Sequence, residues 1–381
     1  MSSCAFITHQ PVINKQRTIT ANRLLVHARG PAPGQLAAET LNALGAVWPE
    51  ERTVFIGLAG TMPDSGLLEW PAPANAMVEI PAAALVTRPG QELVQGLQNA
   101  GVNLCLHGYL PPGGSLAAID FRFVLADKPP SGANAREALL LALELPNAEA
   151  FDTALLNGFD GAAGWFFLNT RPVAKKLAPS HSHIVRLLNL VRKGAEVKEI
   201  EAALKQDVAL SFKLLRYINS VGFGLSCEIQ SFKHAVTILG YEKLNKWLSL
   251  LLVTASKDPS APAMMQAAVV RGRFMELLGA KFFDKHEVDN LFITGAFSLL
   301  DVLLGTSMDA VLEEMHLPAA VADTLLRRDS VYKPFLDLAL ASEQDSDTAI
   351  SSLAASLQLD PAQVNQAQLQ ALSFADTMQF T

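Results

Sequence analysis

The sequence has few cysteines, few charged residues and no long apolar run, and each shortage excludes a class of protein. Its three cysteines, Cys4, Cys105 and Cys227, are too far apart for a disulfide framework or a zinc ribbon. Disorder is excluded because 50% of the residues are hydrophobic and the net charge is only −7. Nucleic acid is disfavoured as a partner because a pI near 5.6 gives no overall basic field.

Membrane and export signals are also missing from the sequence. The longest apolar runs, around residues 247–255 and 291–300, fall short of the roughly 20 residues that a spanning helix needs. The first ten residues lack the basic and apolar regions of a signal peptide. We therefore expect a soluble, cytoplasmic protein with no membrane partner.

Proline and glycine are scarce in the second part of the chain. The first 172 residues hold 15 of the 21 prolines and 16 of the 24 glycines. Because these residues punctuate short connections, the asymmetry predicts two architectures within one chain.

The first part is typical of alternating strands and helices, which indicate βαβ units and a parallel sheet. Predicted strands are Ala5–Thr8, Arg23–Val26, Thr53–Leu58, Met77–Ile80, Val102–Leu106, Phe121–Leu125 and Gly164–Leu168. Predicted helices are Gln35–Leu44, Gln91–Asn99, Arg136–Leu143 and Ala148–Asn157. No glycine-rich phosphate loop occurs, so a nucleotide-binding Rossmann or P-loop domain has no support. A (β/α) barrel usually takes about 250 residues, so this length predicts a trimmed or incomplete one.

Two segments resemble EAL domains, the barrel-type cyclic di-GMP phosphodiesterases. Phe6–Ile13 is similar to their opening Gln-Pro-Ile strand, and Gly158–Phe167 is similar to their last strand with its Gly-Trp-Phe-Phe turn. The resemblance implies that residues 4–172 form a shortened, degenerate EAL-like domain with a TIM-barrel-like α/β fold.

That family uses divalent metal ions to activate water, and the resemblance implies that most of the ligands are replaced here. The signature glutamate corresponds to Leu25, the strand-end asparagine to Gly57, the assisting lysine to Leu125, and the Asp-Asp-Phe motif to His107-Gly108-Tyr109. Glu79 and Asp127 remain, and we interpret them as polar residues at exposed strand ends. The domain is therefore predicted to be catalytically inactive, without a cofactor.

Two other roles were weighed for the predicted barrel mouth. Arg29, which the family also has, could pair with a phosphate, so Arg29, Glu79 and Asp127 are candidate ligand-binding residues. His27 and His107 each follow a predicted strand and could form a replacement metal site. Without a third ligand, we favour solvated loop histidines over that site.

From Leu177 onward, apolar residues recur with the helical period, which predicts one all-α domain of about 200 residues. Its later helices are predicted at Ala263–Leu278, Val288–Leu304, Met308–Met315, Ala319–Arg327, Pro334–Leu340, Asp347–Leu357 and Pro361–Thr377. The two domains are thus expected at residues 4–172 and 173–381, with a short junction rather than a long flexible linker.

Residues 206–240 carry three motifs, in order, that resemble HDOD domains. These are Gln206–Ser211, Lys213–Ser220 and Ile229–Gly240. HDOD domains resemble HD phosphohydrolases in fold but lack their metal ligands, and this sequence contains no His-Asp dipeptide. We assign structural roles to the motif residues, as helix caps or helix ends. They are Asp207, Asn219, Ser220, Ser231 and Gly240.

Three functions follow as hypotheses. The preferred one is a non-catalytic bacterial signal-transduction protein that acts through protein–protein interaction with unidentified partners. The alternative is a sensor that binds cyclic di-GMP without hydrolysing it. The third is a residual metal-dependent phosphodiesterase, or an HD-type hydrolase built around His286 and Asp289, whose complete ligand set we cannot find in the sequence.

Overall fold

The computed structural model describes residues 4–109, 121–129, 138–169, 179–204 and 259–378, with isolated positions at 236, 240, 241, 244, 245, 248 and 249. The chain divides into two compact units. Unit 1 combines Met1–Asn169 with Leu340–Gln370, and unit 2 combines Thr170–Ala339 with Ala371–Thr381.

Unit 1 is built on a closed eight-stranded barrel, with the strands in chain order around the ring. They are β1 (Ile7–Asn14), β2 (Ile19–Val26), β3 (Thr53–Leu58), β4 (Ala76–Pro81), β5 (Asn103–His107), β6 (Phe123–Ala126), β7 (Leu139–Ala142) and β8 (Gly161–Ala163). β1 is antiparallel to β2 and β8, and the other neighbouring pairs are parallel. The predicted barrel-like fold is confirmed, and its ring of strands is closed rather than incomplete.

The barrel is trimmed in its connections rather than in its strands. In the described part of the first 169 residues, the α-helices are α1 (Pro33–Asn42), α2 (Arg88–Asn99) and α3 (Ala148–Leu156). Between β3 and β4 the chain makes a short helical turn, Ser65–Glu69, capped by the side chain of Asp64. Replacing an outer helix with such a turn explains how eight strands fit into so short a segment.

Two of the predicted elements at the end of the barrel are wrong. The segment predicted as the helix Arg136–Leu143 contains β7, because its Leu and Ala residues favour helices locally but are buried by neighbouring strands. The last strand is β8, whereas the predicted strand Gly164–Leu168 contains a helical turn at Phe166–Leu168.

The helical region C-terminal to the barrel is confirmed, in the part of it that the structure describes. Its helices are α4 (Pro179–Arg192), α5 (Val197–Leu204), α6 (Ala261–Gly279), α7 (Lys285–Phe297), α8 (Leu300–Leu304), α9 (Met308–Glu313), α10 (Ala319–Leu325), α11 (Lys333–Ser342), α12 (Asp347–Ser356) and α13 (Pro361–Asp376). The predicted helix Val288–Leu304 is divided between α7 and α8. No helix in these ranges is long and apolar enough to cross a membrane.

A close approach of α6 and α7 forms the centre of unit 2. A Cβ atom on Gly272 of α6 would lie 2.7 Å from the carbonyl oxygen of Phe292 in α7. Glycine is therefore required there, because any side chain would push the two helices apart. Phe292 and Phe297 are fully buried, as their apolar surroundings in the sequence predict.

The compact unit around the barrel also includes Leu340–Gln370, which the sequence analysis assigned to the helical domain. Asn365 of α13 links this segment to the barrel, and it is completely buried. Its Oδ1 accepts a hydrogen bond from the Ile7 amide at 3.0 Å, and its Nδ2 donates to the Ala5 carbonyl at 2.8 Å. The compact units thus divide the chain differently from the predicted boundary, and Asn365 in the first part of α13 satisfies backbone groups of the barrel.

We predict that Asn365→Ala lowers the free energy of unfolding by about 1–3 kcal/mol, since it leaves a buried N–H and a buried C=O without these partners. Urea denaturation of the full chain measures this change. The neighbouring exposed residue provides the control, and Gln366→Ala should change stability by less than about 0.5 kcal/mol. Equal effects of the two substitutions would contradict the assignment of α13 to the barrel.

Candidate functional site at the barrel mouth

The candidate site lies at the end of the barrel where the parallel strands β2–β7 finish, called the mouth below. This is the end at which barrels of this type place their active sites. A Cβ atom on Gly57 would lie 2.7 Å from Glu79 Oε2 and 3.0 Å from Leu25 Cδ2. Leu25, Gly57 and Glu79 therefore lie next to one another. The EAL resemblance assigns all three positions to metal ligation or its neighbourhood.

A buried ion pair occupies this region. Arg23 of β2 donates to Glu79 of β4 through two bonds, Nε to Oε1 at 2.6 Å and Nη2 to Oε2 at 2.8 Å. Its third nitrogen, Nη1, donates to Gln10 Oε1 of β1 at 2.9 Å. Glu79 is 3% exposed and Arg23 is 6% exposed. The interpretation of Glu79 as a residue at an exposed strand end is therefore wrong.

The pair sets the electrostatics of the barrel interior. Burial by itself lowers the pKa of Arg23, but the charge and hydrogen bonds of Glu79 outweigh it and raise that pKa above its usual value. The neighbouring Cys105 thiol is fully buried, and burial followed by the charge of Glu79 raises its pKa well above the ordinary range. Arg23 thus stays charged and Cys105 stays protonated, so the thiol is not a nucleophile.

The segment His107–Tyr109, which the EAL resemblance aligns with the Asp-Asp-Phe motif, makes few interactions suited to metal binding. His107 Nδ1 lies 3.7 Å from Glu79 Oε2, beyond hydrogen-bond distance. The Tyr109 hydroxyl donates to the Lys128 carbonyl at 2.9 Å, and burial followed by the charge of Asp127 raises its pKa. Asp127 is exposed, as predicted, whereas Leu125 is fully buried in the barrel core.

Arg29 and His27 lie beyond the end of β2 and face residues of the C-terminal segment. Both Arg29 Nε and Arg29 Nη2 lie 2.8 Å from carboxylate oxygens of Asp347, in a two-bond pair. The Arg29 side chain is 69% exposed. His27 is buried and shares a hydrogen bond with Thr8 Oγ1 at 2.9 Å, and Asp345 Oδ1 lies 3.8 Å from its Nε2.

The two histidines considered, and disfavoured, as a replacement metal site have different partners, and the favoured interpretation as solvated loop residues is wrong for His27, which is buried. His27 is bonded to Thr8, whereas His107 is next to Glu79. Burial lowers the pKa of His27, although Asp345 and Asp347 oppose that shift. In the described ranges, no group of three or more His, Cys, Asp or Glu side chains is placed to hold a metal ion. The described residues at the mouth therefore do not fit the metal centre of the EAL family.

Most of the predicted HDOD motif residues, Asp207, Asn219, Ser220 and Ser231, lie outside the described residues. Gly240 has a φ of 73°, in the left-handed region that a glycine C-cap adopts. His286 and Asp289, considered for a hydrolase site, lie near the start of α7 rather than in a loop.

Sequence reasoning missed Arg23, Gln10 and the acidic residues of the C-terminal segment. The sequence does contain a signal for Arg23, because this charged residue interrupts the apolar run of β2. It stands two positions before Leu25, so both side chains face the barrel interior. A buried arginine requires a carboxylate partner, and Glu79 on β4 also faces the interior. No comparable signal points to Asp345 or Asp347, which are more than 300 residues from the strands they face.

Comparison with known proteins supports the C-terminal resemblance. Residues 177–305 match the family model of the HDOD domain. The chain is 28% identical over 200 residues to cyclic di-GMP phosphodiesterase CdgJ of Vibrio cholerae serotype O1, covering 52% of this chain and 46% of that protein. It is 24% identical over 248 residues to uncharacterized protein YuxH of Bacillus subtilis, covering 64% of this chain and 60% of that protein.

These matches have a limited extent. The chain spans about half of the first relative and three fifths of the second. The EAL resemblance of residues 4–172 stays a prediction. What the comparisons do establish is an HDOD domain in the C-terminal region of this chain.

Proposed function

We propose that this protein is a non-catalytic regulator in cyclic di-GMP signalling that acts through protein–protein contacts. The HDOD match and the similarity to a protein named as a cyclic di-GMP phosphodiesterase support the signalling context. The non-catalytic part rests on one observation, the two-bond pairing of Glu79 with Arg23. Both oxygens of Glu79, one of the two carboxylates that the EAL resemblance retains, are bonded to an internal cation.

The surroundings of the pair support the same proposal. Leu25 offers no oxygen ligand and Gly57 has no side chain, while Asp127 is exposed at the end of β6. A divalent ion with oxygen ligands takes about six of them, so one carboxylate already paired with arginine is insufficient. Water at this mouth would therefore not be activated for attack on a phosphodiester.

The alternative function, a sensor that binds cyclic di-GMP without hydrolysis, has a specific observation in its favour. Arg29 presents a largely exposed guanidinium, and its two-bond partner is a carboxylate. Phosphate oxygens offer arginine the same two-bond geometry. A nucleotide phosphate would have to displace Asp347, so the internal carboxylate competes with such a ligand.

Arg23→Met should lower the free energy of unfolding by about 3–5 kcal/mol, because Glu79 stays buried without its counter-ion. Arg23→Met/Glu79→Leu should recover most of that loss, since an apolar pair avoids the desolvation cost. Urea denaturation measures both variants. Arg88→Met is the control, as it breaks an exposed pair with Glu92 worth less than about 1 kcal/mol.

The same denaturation experiment with Mn²⁺ tests whether Glu79 ligates metal. We expect wild-type stability to be unchanged by the ion. A Mn²⁺-dependent stabilisation that disappears in Glu79→Gln would overturn the proposed role of the ion pair.

For the barrel, incubation with cyclic di-GMP and Mg²⁺ or Mn²⁺ should yield no linear dinucleotide, and calorimetric titration of the wild type should show no heat at high micromolar ligand. Formation of the linear product would refute the non-catalytic proposal. Heat that increases in Asp347→Ala, but not in the distant exposed variant Asp152→Ala, would favour the sensor instead.

An exposed apolar patch supports a protein-binding role for unit 2. Phe282 is 46% exposed and packs edge-on against Phe335, while Val331, beside Tyr332, is 57% exposed. Phe335 and Tyr332 both pack against Phe283, so the two exposed side chains adjoin one ring cluster, and exposed apolar side chains gathered in this way are typical of surfaces that bind partners.

We expect Phe282→Ser to reduce specific capture of a partner by the full chain from host lysate. The apolar residue Leu156 of α3 in unit 1, which is 89% exposed, gives the control variant Leu156→Ser.

The capture experiment has a result that contradicts the proposal. If Leu156→Ser removes the captured protein and Phe282→Ser does not, the contact lies on the barrel unit rather than on the patch in unit 2.

A further inference from the structure

Two connecting segments of unit 2 meet at its exposed apolar surface. Residues 280–285 join α6 to α7, and residues 326–333 run from the end of α10 into α11. The Phe283 ring packs edge-on against both Tyr332 and Phe335, with ring centroids 5.5 Å apart in each case. These contacts bring the two segments together, and their joint surface is called the unit 2 patch below.

The apolar centre of the unit 2 patch is anchored in the core. Tyr332 and Phe335 are each 2% exposed, whereas Phe282 and Val331 are largely open to solvent. The Phe282 ring packs edge-on against Phe335 with centroids 5.4 Å apart. Because a core residue already positions this exposed ring, a partner that covers it has less side-chain freedom to remove on binding.

Basic residues dominate the two segments. Together they contain five Lys or Arg residues and two Asp, although the chain as a whole has a net charge of −7. The five are Lys281, Lys285, Arg327, Arg328 and Lys333. A concentration of cations beside exposed apolar side chains favours a partner that carries the opposite charge.

Three of these cations are partly neutralised by nearby carboxylates. Lys333 donates to Asp337 Oδ2 at 2.7 Å, and Arg327 Nη1 lies 3.9 Å from Oδ1 of the same residue. Arg328 Nη1 lies 3.5 Å from Asp323 Oδ1. These three are therefore less available to a partner than the two lysines.

Lys281 and Lys285 are the cations that a partner could engage. Both are exposed, and within the ranges that the structure describes neither forms an ion pair. Asp284 is their neighbour in the chain, but its Oδ1 accepts from the Glu287 amide at 3.0 Å and caps α7. The two lysines stand on either side of the exposed Phe282 in the sequence, so positive charge flanks the apolar centre.

An anionic lipid surface matches this arrangement less well than a peptide does. Asp284 and Asp329 are exposed in the same two segments, where a continuous layer of anionic headgroups would meet them. A peptide can place its carboxylates opposite the lysines and leave the two aspartates in water.

We propose that the unit 2 patch binds an acidic peptide segment of a partner protein. An aromatic or aliphatic side chain of that segment packs on Phe282 and Val331, while flanking Asp or Glu residues pair with Lys281 and Lys285. This partner class rests on the proposed function, since it specifies the chemistry of the protein–protein contact.

A short labelled peptide of glutamates around one Leu-Phe pair is the probe, titrated with the full chain and followed by fluorescence anisotropy. We expect saturable binding with a Kd of roughly 10–100 μM, in the range of a weak peptide contact. The same peptide with Lys in place of Glu, or with Ser in place of Leu and Phe, should bind at least about tenfold more weakly.

Lys281→Glu/Lys285→Glu should weaken binding of the acidic peptide by about tenfold or more, because it reverses both flanking charges. Phe282→Ser should weaken it several-fold, because it removes the exposed ring. The control Lys193→Glu/Lys198→Glu makes the same change in net charge at exposed lysines outside the patch. It should leave binding within about twofold of the wild type. Circular dichroism establishes whether each variant is folded, and Phe282→Ser keeps the test decisive if the double variant is not.

Absence of saturable binding to the wild type at millimolar peptide would overturn the proposal. Equal weakening by the patch and control variants would overturn it too, because only net charge would then matter. Patch-dependent binding to phosphatidylglycerol vesicles, without binding of the peptide, would assign the patch to a membrane instead. If the peptide fails but Phe282→Ser still abolishes capture from lysate, the acidic class is wrong and the protein–protein function stands. If capture shows no dependence on the patch either, that function loses its support as well.

Discussion

The buried pair between Arg23 and Glu79 is the interaction on which the barrel interior depends. Each charge alone would cost several kcal/mol to bury, and only their mutual bonds make both positions tolerable inside the ring. The guanidinium also engages Gln10, so one side chain connects β1, β2 and β4. These strands include β1 and β2, the antiparallel strands with which the barrel begins. The ion pair therefore connects strands of both orientations.

The C-terminal segment extends this arrangement to the outside of the barrel. Asn365 bonds to the backbone at the start of β1, while Asp345 and Asp347 face His27 and Arg29 beyond the end of β2. β1 and β2 are paired, so the segment contacts both strands at the same end of the barrel. The barrel gains cover in this way from residues more than 300 positions away in the chain.

Local patterns in the sequence predicted the helices and strands whose formation depends on residues that are neighbours in the chain. Helix periodicity located α6, α7 and the helices after them, and β-branched runs located β3 and β4. β7 was missed because Leu139–Ala142 has no strand signal apart from its burial, which comes from neighbouring strands. The Arg23–Glu79 pair was not predicted, because Glu79 was interpreted as an exposed residue and its partner requires knowing which inward positions adjoin. The attachment of Leu340–Gln370 to the barrel has no local signature at all.

The pair also explains why metal ligands could not be introduced one at a time at positions 25 and 57. A side chain at position 57 would place its Cβ 2.7 Å from Glu79 Oε2, so an asparagine there would force the carboxylate away from Arg23. A glutamate at position 25 would bring a second negative charge beside the first, with one guanidinium for both. Conversely, a divalent ion near Glu79 would be repelled by the charge of Arg23. Removal of Arg23 therefore has to precede any gain of ligands, and by itself that step leaves a buried charge unpaired. Each single change is unfavourable, so the ion pair stabilises the present arrangement of the barrel interior against stepwise introduction of ligands.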